Sequence, residues 1–256
     1  TMSGGTINDN TGSGVSVGGT FTMTDGTISG NSGHGVSVDG AFTMSGGEIS
    51  GHSSEGGVWV GGTFTMTDGT IIGNSSSDNG GGVIVDGDFT MSGGTIIGNS
   101  ASWSGGVCVG ENGTFTMTDG TIIGNSSSWS GAGVIVDGDF TMSGGTISGN
   151  SASWSGGGVS VSDNGTFTMT DGTISGNSAE VGGGVDICNG TFTKTGGTIY
   201  GDTDTSHTPG STENTALNGY GHAVVYIGDS GKKRDDTADT DENMDSRQDG
   251  AAGGWE

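Results

Sequence analysis

Apolar residues recur along this chain in short alternating groups. Phe-Thr-Met puts two apolar side chains on one side of a strand, and it starts at Phe21, Phe42, Phe64, Phe89, Phe115, Phe140 and Phe167, with Phe-Thr-Lys at Phe192. An Ile follows five residues after each Met or Lys, at Ile28, Ile49, Ile71, Ile96, Ile122, Ile147, Ile174 and Ile199. A V-x-V triplet, such as Val134–Val136, precedes most of the Phe groups. Period-two alternation predicts strands with one buried face. Gly pairs and Asp-Gly or Asn-Gly steps between them supply corners with positive φ. No segment has the length or period of a helix.

The groups form a repeat, with the Phe residues spaced by 21, 22, 25, 26, 25, 27 and 25 residues. In the unit from Phe140, "FTM", "GTISGN" and "GVSV" read as three short strands separated by "SGG" and "SASWSGG". Three strands of 3 to 5 residues in about 25 describe one turn of a parallel β-helix, each coil about 4.8 Å from the next. The expected fold is all-β, with about nine coils of 21–27 residues. Length varies between "GN" and "GV", where a solenoid tolerates insertions. Phe, Met and Ile should form interior columns. Asn31, Asn74, Asn99, Asn125, Asn150 and Asn177 should form an amide column, interrupted by His52 and ended by Asp202. "TDG" and "SGG" coils alternate, so Asp25, Asp68, Asp119 and Asp171 should lie two coils apart and avoid like-charge repulsion on adjacent rungs.

Repeats of the form G-G-G-V-x-V…G-T-F-T-M-x-G-G-T-I-x-G-N resemble those of bacterial surface β-helix proteins, including adhesin-like and autotransporter-passenger repeats. They also loosely resemble the repeats of polymorphic outer-membrane proteins. The resemblance covers residues 1–201 and implies an extracellular or cell-surface rod. It also implies a right-handed path, as the crossover rule does. Residues 202–256 lose the repeat and are expected to form a final coil and cap, with Val224, Tyr226 and Ile227 closing the core and Lys232, Lys233 and Arg234 offsetting acids. The chain opens "TMSGGTI", which is "FTMSGGTI" without its Phe, so residue 1 falls inside a repeat and any targeting segment is expected upstream.

Composition changes the picture in one respect. Sixty glycines and 28% hydrophobic residues in 256 would suggest a linker, but the periodicity argues for order. The formal net charge of −24, from five basic and 29 acidic residues, disfavours nucleic acid and anionic membranes as partners. No run reaches the roughly 20 apolar residues of a membrane span.

The chemistry is sparse. The coils hold one Lys and no Arg, the bases that uronate lyases commonly use, and their acids recur with the repeat instead of occupying distinct roles. A non-catalytic role and no required cofactor are therefore expected. "VDGDF" pairs Asp86 with Asp88 and Asp137 with Asp139, a candidate for loose calcium binding or simply solvated turn acids. The four histidines have no metal-ligand spacing. Cys108 and Cys188 lie three coils apart, about 14 Å at the strand spacing. That is beyond the roughly 7 Å Cα limit of a disulfide, so each is free or joins another chain.

Three outward features are candidate binding surfaces. Thr22, Thr43, Thr65, Thr90, Thr116, Thr141, Thr168 and Thr193 form an unbroken column that resembles the flat Thr face of ice-binding solenoids, although Thr suits exposed strand positions anyway. Ala41, Asp88 and Asp139 interrupt the column beside it. Trp103, Trp129 and Trp154 occupy equivalent loops, either as a row for sugar rings or as a self-packed stack. Trp59, Ile84, Cys108 and Ile135 fill x of V-x-V, and Ile72, Ile97 and Ile123 follow the core Ile; together they suggest an apolar patch for lateral contact with another copy or a cell-surface ligand.

Overall fold

The computed structural model describes residues 1–201, 213–220, 223–227 and 241–243. It is a parallel β-solenoid in which three sheets run the length of the rod. The Phe sheet comprises Met2–Asn8, Thr20–Ser29, Ala41–Ser50, Thr63–Ile72, Asp88–Ile97, Thr114–Ile123, Asp139–Ser148, Thr166–Ser175 and the split rung Thr191–Lys194 with Thr198–Ile199. These are nine stacked levels, hence about eight full turns. The Val sheet carries the V-x-V triplets, from Val15–Val17 to Val224–Ile227, and ends on Asp241–Asn243, which pairs antiparallel. The Ser sheet is shorter: Ser100–Ala101, Ser126–Ser127, Ser151–Ala152, Ser178–Val181 and Thr215–Tyr220.

The division of each coil into strands differs from the expectation. Phe-Thr-Met and Gly-Thr-Ile are not separate strands; they are halves of one ten-residue strand. The "TDG" or "SGG" between them is a kink within the ladder, where register shifts for two or three residues and then resumes. Glycine makes this possible. Gly120 has φ +98°, and a Cβ there would stand 2.7 Å from Met91 Cε of the preceding coil. The third sheet instead comes from the serines after the Asn corner, which carry too little apolar pattern to read as strands.

The expected columns are present. Met23, Ile28, Val36 and Val38 and their equivalents are fully buried through the middle coils, joined by the Phe rings. From Phe42 to Phe167 those rings stack at 4.6–4.7 Å with interplanar angles of 5–7°. This matches the 4.7–4.9 Å separation of paired strands, so the backbone repeat sets the ring spacing. Lys194 takes the Met position of the ninth level. The Asp residues of the "TDG" coils face Ser on neighbouring levels, as in Ser45↔Asp68 and Ser143↔Asp171, so no two of them are adjacent. Each also accepts the N–H of its own following Gly at 2.7–2.8 Å.

The amide column is longer than expected. Asn10 donates its N–H and Nδ2 to Asn31 Oδ1, at 3.0 and 2.7 Å, and so begins the ladder. At the far end Asn177 donates in the same way to Asn214 Oδ1, at 2.9 and 2.8 Å. Asp202 lies outside the described residues, and the ladder place assigned to it belongs to Asn214. Asn214 Nδ2 donates to the Ile174 and Tyr200 carbonyls, at 3.0 and 2.6 Å. Val224 is buried in the core. The side chains of Tyr226 and Ile227, and residues Lys232, Lys233 and Arg234, lie outside the described set.

Candidate functional site

The ladder shows how each coil is locked to the next. Asn99, Asn125 and Asn150 each donate N–H and Nδ2 to the Oδ1 one coil on, at 2.9–3.0 Å, and Nδ2 also donates to an Ile carbonyl of the preceding coil. Every polar atom of the amide is satisfied, as buried polar groups require. His52 imitates the arrangement with its ring. Nδ1 stands 3.1 Å from the Asn31 N–H and Nε2 3.2 Å from the Ile28 carbonyl, which the Nε2-protonated tautomer satisfies. This chemistry is structural and leaves no group free to react.

The outward side of the Val sheet carries a groove of about 940 Å³. Its floor is the x column of V-x-V, represented by Ile135, Ser160 and Asp186. One wall is the loop row of Trp103, Trp129 and Trp154, with Asn79 leading in and Val181 following; parallel bridges link Asn79 to Trp103 and Ser155 to Val181. The other wall is the corner after V-x-V, with Glu111, Asp137, Asp163 and Asn164. Asp78 closes one end, and Cys188 lines the groove beside Asp186. The groove thus joins members of three sets that seemed independent in sequence: the Trp row, the apolar patch and the paired acids. None of the described lining residues is basic.

The Trp row is both stacked and exposed. Trp103 and Trp129 rings lie 5.6 Å apart at 14°, and Trp154 continues the row with 56% of its surface exposed. The apolar patch is divided. Cys108 and Ile135 lie beneath the loops and are 6% exposed, while Trp59 and Ile84 are half-buried. Trp59 donates its indole N–H to Asp86 at 2.9 Å. Ile72, Ile97 and Ile123 belong to a different sheet and are half-buried there. They do not continue the Val-sheet set.

The Thr column is in register from Thr22 to Thr193. Asp88 and Asp139 are exposed in the column beside it. Among the described residues no three His, Cys, Asp or Glu side chains converge, so Asp86 and Asp88, like Asp137 and Asp139, remain pairs. A second, serine-lined groove of about 420 Å³ runs over the Ser sheet, where Ser100 Oγ donates to Ser75 Oγ at 3.2 Å.

Four titrating groups among the described residues have shifted pKa values, one of them Cys188, raised by burial and then by Asp186 and Asp163. Burial pushes the Cys108 thiol up to about 12, with Asp137, Asp86 and Asp78 adding to the shift. Burial raises Asp186 to about 6 against the pull of the Ser155 and Ser160 hydroxyls. Burial lowers His34 despite Glu55, whose Oε2 is 3.6 Å away. Asp186 is 3% exposed, and its Oδ1 has no hydrogen-bond partner.

Sequence reasoning missed the acidic wall. Its signal was an acid one or two residues after the V-x-V of four consecutive coils, at Asp86, Glu111, Asp137 and Asp163, obscured by the change in corner length. Fold and groove together define a parallel β-solenoid with an aromatic and acidic lateral cleft. Comparison with protein-family models, curated proteins and solved structures yields no match, so that class rests on the geometry alone.

Proposed function

We propose that this chain is a non-catalytic, extracellular rod of the adhesin type that binds a surface ligand through its lateral groove. The observation that carries the reading is the groove itself, whose exposed Trp row and carboxylate wall repeat coil by coil. A repeated wall offers many equivalent contacts to an extended ligand, whereas a catalytic site needs groups in distinct roles. The bacterial cell-surface location follows from the resemblance of the repeats. The in-register sheets suit a stiff spacer, because each coil is stabilised by its neighbours.

Glycan-array binding by the intact chain tests the proposal, with Trp129→Ala as the variant. Loss of a specific signal in Trp129→Ala supports groove binding, and the absence of any surface or glycan binding refutes it. Lateral self-association is a second reading, which the half-buried Ile72, Ile97 and Ile123 favour. Sedimentation velocity across concentration, with and without reductant, tests it: a monomer throughout refutes it, and reductant-sensitive association would implicate exposed Cys188.

A further inference from the structure

We propose that the ligand of the Trp groove is a linear amino-sugar oligosaccharide, with ammonium groups directed to the carboxylate wall and floor and sugar rings against the Trp row. The inference rests on the groove-binding reading and adds the chemical class.

Charge is the first argument. Glu111, Asp137 and Asp163 supply one carboxylate per coil along one wall, and no described lining residue offers a compensating cation. A chain carrying a positive charge on each unit matches that wall. Asp186 supplies an independent indication. It lies in the groove floor, almost wholly buried; the Ser155 and Ser160 hydroxyls bond to the carboxylate, yet its Oδ1 has no hydrogen-bond partner, a state that buried polar atoms ordinarily avoid. An ammonium group is the partner this position lacks. A metal ion fits less well, because no three acidic, His or Cys side chains converge among the described residues.

The remaining lining decides between cationic chains. Trp154 offers an exposed aromatic surface, which suits the C–H face of a sugar ring and also attracts ammonium groups. Ser162, Asn164 and Asn79 add hydrogen-bonding side chains along the same cleft. A polyamine has no hydroxyls to meet them. An oligolysine chain likewise carries no hydroxyls.

The test is calorimetric titration of the intact chain with a glucosamine hexasaccharide and with its fully N-acetylated counterpart, followed in parallel by Trp fluorescence. The glucosamine form is expected to bind, and the neutral form at least about tenfold more weakly. Trp154→Ala and Asp163→Asn, both exposed positions, should each lower affinity several-fold with unchanged circular dichroism. Asp186→Asn should do the same. Asp119→Asn, which removes an equal charge outside the groove, should not.

Equal binding of the two saccharides would overturn the amino-sugar assignment while leaving groove binding intact. An equal loss from Asp119→Asn would show attraction to the net charge only, and would also overturn it. Spermine or oligolysine competing as well as the hexasaccharide would overturn the sugar component. No binding of either saccharide overturns the inference, and binding of other glycans in the array would then show that the broader reading survives.

Discussion

Truncating one rung of the amide ladder gives a sharp test of what holds the coils together. In Asn125→Ala the lost side chain accepts from Asn99 N and Nδ2, at 2.9 and 3.0 Å, and donates to Ile96 O and Asn150 Oδ1, at 3.1 and 3.0 Å. Asn99 is fully buried, so its N–H and one Nδ2 hydrogen are left without partners and away from water. Each orphaned buried donor costs about 1–3 kcal/mol, giving about 2–6 kcal/mol for the pair. Asn125→His is the informative comparison. His52 shows that an imidazole can accept the preceding N–H and reach the Ile carbonyl, so the histidine variant orphans mainly one Nδ2 hydrogen and should cost about 1–3 kcal/mol.

Because solenoid stability is summed over neighbouring coils, urea denaturation should be read together with hydrogen exchange at the Asn99 amide. The expected order of exchange is Ala fastest, then His, then the unaltered chain. Equal costs for the two variants, or a cost below about 1 kcal/mol for Ala, would refute the claim that the ladder couples the coils.

Other outcomes follow from individual positions. Gly124→Ala, at φ +65° with open space around it, should cost about 1–2 kcal/mol in denaturation. Gly144→Ala, whose Cβ would collide with the Thr118 carbonyl oxygen, should exceed the about 1–3 kcal/mol of ordinary overpacking; equal costs would contradict the rung spacing. Iodoacetamide at pH 8 should label exposed Cys188 in the folded chain and Cys108 only after unfolding, checked by mass spectrometry. The raised Asp186 pKa means that the folded chain holds the extra proton between pH 4 and 6. Its contribution is therefore full below about pH 4 and falls by about 3 kcal/mol as pH rises through 6. Asp186→Asn should remove that part of the slope in melts compared across pH, and an unchanged slope would refute it. Thermal hysteresis abolished by Thr116→Tyr would establish an ice-binding Thr face, whereas no hysteresis in the unaltered chain would dismiss it.

The solenoid, its interior columns and the Asp–Ser alternation were legible in sequence because each coil repeats the same local instruction. Period two fixes which side of a strand is buried, and a repeat length near 25 fixes which residues stack. Strand boundaries were less legible. Gly-Gly and Asp-Gly steps serve equally as turns and as kinks, and only the pairing of both flanks with the same neighbours shows a kink.

Asn10 and Asn214 escaped for a related reason. Neither follows the Gly-Asn signature, and Asn214 lies 37 residues after Asn177, a spacing the repeat does not encode. The groove depended still more on tertiary structure. Trp154, Asp163 and Asp186 come from a loop, a corner and a strand, and the chain path around the rod brings them into one cleft. The same path covers Cys108 and Ile135, whose place at x of V-x-V had read as exterior. Alternation in sequence sets inside against outside for a strand, but loops folding back over the outer face decide which outward residues water can reach.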